Sequence, residues 1–211
     1  MATREYRFSD FSEVAVGGAF EVDVQASDSY SVVVEADWLQ FQSITVSRQG
    51  EVLSIGRRWH PLAWIPTSNR PKATITMPVL KGLSISGATR VTVSGFKSSE
   101  DFRMELSGAS RITGDLGVGN ARLVLSGASR ADLSGSAGNL TADISGASRI
   151  EMGGFEVRDA SLVMSGASRM TVNVDSRLNA ELSGASRLHY KGEPTMGDIR
   201  TSGASSIDKT E

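Results

Sequence analysis

The chain has 211 residues, with 22 Lys and Arg against 24 Asp and Glu, a net charge of −2, 39% hydrophobic residues, 6% aromatics, 22 Gly and no Cys. That length suits one domain or two with a substantial core, and zero Cys excludes a disulfide scaffold, thiol catalysis and cysteine-ligated zinc. The near-balanced charge argues against a nucleic-acid binder, and no apolar run approaches the roughly 18 residues that a membrane-spanning helix needs.

The first residues, Met1-Ala2-Thr3-Arg4-Glu5, hold no apolar run of the kind a secretory signal requires. The chain is therefore expected either inside the cell or as a mature segment given a new start. Val14–Val16, Gly17-Gly18-Ala19 and Phe20–Val24 read as strand, glycine turn and strand. Further strands are expected at Ser31–Glu35, Ile44–Ser47, Val52–Ile55 and Ala73–Met77, with one helical turn over Asp37–Phe41. Residues 1–80 are read as wider, irregular coils that begin and cap a regular body over 81–211. No linker of Pro, Ser or charge divides the two, so one continuous domain is expected.

The segment 57–72 departs from its surroundings. It holds three of the five prolines, two of the three tryptophans and, with Arg57, Arg58, Arg70 and Lys72, four basic residues without an acid. A loop of this length is usually functional or packed against something. It is read either as a flap with Trp59 and Trp64 over one end of the core, or as a contact surface for a partner subunit or ligand.

From residue 86 a pentapeptide recurs seven times, starting at Ser86, Ser107, Ser126, Ser145, Ser165, Ser183 and Ser202, at intervals of 21, 19, 19, 20, 18 and 19. Five copies read Ser-Gly-Ala-Ser-Arg; the first has Thr89 at the fourth place and the last ends in Ser206. With the first Ser as zero, apolar residues occupy −3, −1, +5 and most of +7, a period of two that marks two short strands per repeat. The glycines Gly87, Gly108, Gly127, Gly146, Gly166, Gly184 and Gly203 would supply positive φ at a sharp corner. The all-Ala +2 position is expected to face the interior. A second turn is expected at Gly95, Gly117, Gly135–Gly138 and Gly153-Gly154. No helical period intervenes, so about 19 residues of strand and corner per turn predict an all-β fold, a β-solenoid or β-helix. General chirality favours the right hand.

The recurring Ser-Gly-Ala-Ser-Arg, with Phe11, Val14–Val16 and Phe20–Val24 before it and Tyr190–Pro194 and Ser202–Ile207 closing it, resembles the putative auto-transporter adhesin head domain family, the GIN domain. The likeness runs over roughly residues 5–208. It implies a right-handed β-helix-like fold, a bacterial cell-envelope setting and no catalytic residues. Members of the family commonly carry a secretion or lipoprotein signal, which leaves both cytoplasm and envelope open for this chain.

Position +4 forms a ladder of Arg90, Arg111, Arg130, Arg149, Arg169 and Arg187. Unit charges about 5 Å apart repel by roughly 1 kcal/mol even in water, so an unpaired ladder should be destabilising. Acids lie close by in sequence, with Asp132, Glu151 and Asp208 at +6 and Glu105, Asp143 and Glu181 at −2. The expected reading is a surface salt-bridge lattice; the alternative is a basic stripe for a sulfated or acidic polysaccharide. Asp132 and Glu151, in consecutive coils, have the spacing of a retaining glycosidase pair, but an Arg two residues before each should keep both ionised. His60 and His189 are far apart in sequence, and calcium nonapeptides and phosphate loops are absent, so no metal or cofactor is expected. Exposed Val124 and Val163 alternate with acids at −2, which suggests a subunit contact. These features predict a non-enzymatic, adhesin-like interaction module, a homo-oligomer with a trimer among the options, binding a glycan or cell-surface ligand and no nucleic acid. A carbohydrate-active enzyme on a β-helix is the alternative.

Overall fold

The computed structural model describes residues 2–58 and 69–210, nearly all of them in strands or the turns between. In every coil one strand runs into a corner and another leaves it. The incoming strands are β2 (Glu13–Val16), β6 (Val52–Arg57), β8 (Gly82–Ile85), β10 (Phe102–Leu106), β12 (Asn120–Leu125) and β17 (Thr195–Thr201). The outgoing strands are β3 (Glu21–Ala26), β7 (Lys72–Met77), β9 (Arg90–Lys97), β11 (Arg111–Gly117), β16 (Arg187–Lys191) and β18 (Ser206–Lys209). Three longer strands, β13 (Arg130–Ile144), β14 (Arg149–Met164) and β15 (Arg169–Leu182), run from one corner to the next.

Parallel pairing stacks the incoming strands in the order β6, β2, β8, β10, β12, then the second halves of β13, β14 and β15, then β17. The outgoing strands stack as β7, β3, β9, β11, then the first halves of β13, β14 and β15, then β16 and β18. The chain is a β-solenoid of about seven turns. At the N-terminal end β4 (Ser31–Ala36) and β1 (Ala2–Tyr6) extend the outgoing ladder beyond β7, and β5 (Ile44–Gln49) extends the incoming ladder beyond β6, all antiparallel. The single helical turn α1 (Trp38–Phe41), with Asp37 as its N-cap, joins β4 to β5. These strands cover the backbone edges that the first coil would otherwise leave open.

Inside, each repeat position becomes a continuous apolar column. Leu83, Met104, Leu123, Ala142, Leu162 and Ala180 form one; Val91, Ile112, Ala131, Ile150, Met170 and Leu188 form another, and all are buried. Burial of each Leu- or Ile-sized side chain contributes about 1.5–3 kcal/mol, so the stack of columns carries much of the stability.

The corners explain the invariant glycine twice over. The seven pentapeptide glycines have φ between +70° and +77°, the left-handed region. They also touch the coil below: a Cβ on Gly108 would lie 2.6 Å from the carbonyl oxygen of Gly87, and one on Gly127 2.6 Å from that of Gly108. The same carbonyls accept hydrogen bonds from Ala109 and Ala128 N–H, each at 2.8 Å, so corner backbone pairs with corner backbone from coil to coil.

One expectation about the repeat is corrected. The Ala column does not face inward: Ala88, Ala109, Ala128, Ala147, Ala167, Ala185 and Ala204 are exposed. The inward residue is the fourth of the pentapeptide, with Thr89, Ser110, Ser129, Ser148, Ser168 and Ser186 between 0% and 2% exposed. The alternation of −3, −1, +5 and +7 simply continues through +3, and only the glycine is turned out by the corner. Each buried hydroxyl donates to the carbonyl of the first residue of its own pentapeptide, as in Ser110 to Ser107 (2.7 Å) and Ser186 to Ser183 (2.8 Å), which removes the cost of burying it. At the second turn Gly95 and Gly135 have positive φ, and the ladder shifts register at Gly95 and again at Gly153-Gly154, so the bend falls at these glycines although the strands run on through 135–138 and 153–154.

Replacing Gly146 by Ala should lower the unfolding midpoint sharply, since left-handed backbone strain alone costs about 1–3 kcal/mol and the added carbon meets the carbonyl of Gly127. Ala147→Leu, one residue on, should change stability by no more than ~0.5 kcal/mol because its side chain faces solvent. Thermal unfolding of the two variants checks both, and equal losses would contradict this corner geometry.

Candidate functional site

The outgoing ladder places Arg90, Arg111, Arg130, Arg149, Arg169 and Arg187 directly beside one another, each the partner of the next in register. Neighbouring strands lie about 4.7–4.9 Å apart, so the column spans roughly 24 Å along the solenoid. Glu21, itself paired with Lys72 at 3.9 Å, precedes Arg90 in the column, and Ser206 follows Arg187. All six arginines are exposed or half-buried, and the exposed Ala column runs next to them at the corner.

The expected salt-bridge lattice does not form. Among the described residues one column arginine, Arg149, makes an ion pair, its Nε lying 2.8 Å from Glu151 Oε1. Glu105 pairs with Arg103 on its own strand, and Asp208 accepts from Ser206 Oγ at 3.1 Å. Arg90, Arg111, Arg130, Arg169 and Arg187 have no ion-pair partner among the described residues. At +6, Thr92 and Thr113 accompany Arg90 and Arg111, Asp132 and Glu151 accompany Arg130 and Arg149, and Thr171 and His189 accompany Arg169 and Arg187; in the flanking coils Asp23 stands beside Thr92 and Asp208 beside His189.

Glu151 behaves as a fixed anion. Partial burial, the largest single influence, pushes its carboxyl up; hydrogen bonds from Thr171 and Arg149 and the charges of Arg149 and Arg130 outweigh it and hold the group below its ordinary value. A carboxylate held ionised is a poor proton donor, so Glu151, the neighbour of Asp132 in register, is poorly suited to be the general acid of a glycoside cleavage. Ser206, His189 and Asp208 share a groove of about 760 Å³ with Arg149, Arg169 and Arg187. The Ser206 hydroxyl donates to Asp208, and the buried His189 Nδ1 has no hydrogen-bond partner, so the three form no hydroxyl–imidazole–carboxylate relay. A second groove runs between Ala147, Ala167 and Ala185 on one side and Arg149, Arg169 and Arg187 on the other.

Of the sequence-predicted contact loop, Arg57, Arg58 and Arg70 are placed and Trp59 and Trp64 lie outside the described residues, as does His60. The segment leaves after β6 and returns at β7, which is the corner position of its coil. Arg57 Nε donates to Ser43 Oγ at 3.3 Å, and Arg70 Nη1 donates to the carbonyl of Ala88 at 2.7 Å, in the first pentapeptide. The base of the segment therefore sits on the same side as the pentapeptide corners. Val163 at −2 is 48% exposed and Val124 half-buried, on the incoming ladder and away from the arginines. Among the described residues no three His, Asp or Glu side chains gather as metal ligands, and no helix is long and apolar enough to cross a membrane.

The family model for the putative auto-transporter adhesin, head GIN domain, matches residues 10–194. Among solved structures, a putative adhesin from Bacteroides fragilis NCTC 9343 superposes with a TM-score of 0.89 at 20% identity, over 99% of this chain and 96% of that one. A putative adhesin from Parabacteroides merdae ATCC 43184 gives 0.75 at 15% identity, over 100% and 96%. A putative lipid binding protein from Parabacteroides distasonis ATCC 8503 gives 0.70 at 17% identity, over 100% and 96%. At these identities the likeness is one of fold. No curated protein sequence matches the chain.

The depressed Glu151 carboxyl has a signed consequence for stability. Its contribution is complete above its ordinary value of 4.5 and is lost as pH falls through the lower, folded value. Glu151→Gln should therefore be less stable than the parent at neutral pH, with the gap narrowing as pH falls below 4.5. Unfolding midpoints measured across that range check it, and a gap independent of pH would show that the ion pair does not act in this way.

Proposed function

This chain belongs to the putative auto-transporter adhesin head GIN domain family, and we propose that it works there as a non-enzymatic ligand-binding module, holding acidic glycans on its arginine column at the cell envelope. The observation that carries the reading is the column itself: five guanidinium groups without an ion-pair partner among the described residues, fixed in register on a rigid ladder. A guanidinium presents a planar fork of donors that matches carboxylate and sulfate oxygens, and one left unpaired in the free protein forfeits no internal ion pair on binding. The neighbouring exposed Ala methyl groups let a sugar ring approach the backbone closely. The clamped Glu151 and the absence of a relay around His189 favour holding the ligand over cleaving it. Self-association of copies, if it aligned several columns, would raise avidity without any new contact.

The test is binding of the intact chain to immobilised polygalacturonate and dextran sulfate. Binding should weaken steeply as salt rises, and replacing Arg111 and Arg130 together by Gln should weaken it roughly tenfold or more. No new reducing ends should appear on prolonged incubation. Retention that is insensitive to salt and to these substitutions would remove the column as the contact surface.

A further inference from the structure

Independently of the arginine column, we infer that the C-terminal end of the solenoid is a docking surface for a second copy of this chain, the two joining tail to tail by antiparallel pairing of β17 with β17. The two ends of the solenoid differ. At the N-terminal end β4, β1 and β5 close the core: Val32, Val34 and Ala36 are fully buried, and the Arg4 guanidinium lies 4.3 Å over the ring of Phe41. At the other end β17 and β18 are the last strands of their ladders among the described residues, and each pairs on one side only, with β15 and β16. Their outer backbone edges are open, the arrangement that recruits another strand.

The core is open there as well. Met196 and Ile199 stand in register with the buried Leu178 and Ala180, as Ile207 does with Leu188, so all three continue inward columns. Met196 is nevertheless 43% exposed and Ile199 37%. Apolar columns that end in water beside an unpaired edge form a surface that only a further layer of strand can bury.

Charge selects the occupant and the register. Asp198 and Arg200 flank Ile199 on the outer face, exposed, and neither has an ion-pair partner among the described residues. The charges of β18 are engaged within the same end: Lys209 pairs with Glu193, and Asp208 accepts from Ser206 Oγ. Two identical strands that pair antiparallel about a two-fold axis set one residue opposite itself. Centred on Ile199, they bury Ile199 against its copy and set Asp198 opposite Arg200 in both directions, giving two cross-strand ion pairs. Centred on Asp198 or on Arg200, the same strands set like charge against like charge, which destabilises the pair. β17 is thus self-complementary in the Ile199 register. Because the contact uses the same patch on both copies and the core columns at the N-terminal end are already covered, assembly closes at two copies.

The experiment is sedimentation equilibrium of the intact chain from micromolar to near-millimolar concentration. The mass should rise from one copy to two and no further. Arg200→Glu should weaken association roughly tenfold or more, since it sets acid against acid twice. The exchanged double variant, Asp198→Arg with Arg200→Glu, should restore association, because the opposed charges are again unlike. Both side chains are exposed, so the thermal midpoints of these variants at low concentration should match the parent. Trp38→Ser, an exposed position at the other end, should leave the dimer intact. Hydrogen exchange should slow with concentration at the β17 amides and stay constant at β1 and β5.

A chain that stays monomeric throughout would overturn the self-pairing and leave the β17 edge to a strand of another protein. A mass that passes two copies, or loss of association on Trp38→Ser, would overturn the tail-to-tail arrangement. A double variant that associates no better than Arg200→Glu would overturn the Ile199 register. None of these residues lies on the arginine column, so each failure leaves the ligand-binding reading to its own test.

Discussion

The contact on which the rest of the structure depends is glycine backbone against glycine backbone at the corners. Where the chain turns, the residue must take a left-handed conformation and must also lie against the same residue one coil below, with no room for a Cβ between them. The Ala N–H that follows closes a hydrogen bond onto that lower glycine carbonyl, as Ala147 does onto Gly127 at 2.8 Å. Together these fix the register of every coil to the residue. A strand that slipped by one would turn its whole apolar set outward, so the corner also decides which residues reach the core and which reach solvent.

Once register is fixed, residue type at one repeat position becomes a column, and the columns divide the work. Aliphatic columns at −3, −1 and +5 fill the core. The hydroxyl column at +3 is equally buried, and it is stable there because each Ser or Thr finishes a hydrogen bond inside its own corner, as Thr89 does to Ser86 at 2.8 Å. Alanine at +2 and arginine at +4 then share the outer edge. An outer edge of Ala and Arg is thus generated by repetition of one short motif, with most of its variation at the +6 position, where Thr, acid and His alternate.

How much of this could be read from the residues follows from where the information sits. Apolar periodicity at −3, −1 and +5 and the invariant glycine are local signals, and the solenoid was legible from them, as strands β2 to β7 were from their own apolar alternation and turn residues. The orientation of Ala and Ser was not, because polarity suggests an outward Ser and its satisfying partner is a backbone carbonyl that sequence does not display. The second bend was legible in its glycines, because the register shifts fall at Gly95 and at Gly153-Gly154; that the strands run on through the bend was not. Strand β1 carries no apolar alternation to announce it, being exposed along most of its length. The position of the β2–β3 coil between β6–β7 and β8–β9 breaks chain order and is decided by long-range pairing alone. At the candidate site the arginine column was legible and its lack of ion-pair partners was not. An acid two residues away on the same strand face is near enough to pair, yet only Glu151, drawn in by Thr171 and Arg149 together, closes the contact.

The unpaired column has an energetic consequence that ties fold to ligand. Adjacent like charges about 5 Å apart cost roughly 1 kcal/mol in water at low salt, less when screened. No single strand pair would hold such a ladder together, since like charges directly opposite destabilise a sheet. Here the repulsion is opposed by corner hydrogen bonds and buried columns that do not involve the arginines at all, so the guanidinium groups stay aligned without partners of their own. The free protein therefore stores electrostatic repulsion along one edge, in a geometry already set for binding. A polyanion laid on that edge gains its own contacts and also relieves the repulsion between coils, with little ordering cost to the protein. On the proposed function, ligand binding and fold stability would be coupled through the same side chains. Acids beside the column, Asp23 at one end, Asp132 and Glu151 in the middle and Asp208 at the other end, temper that stored repulsion along its length.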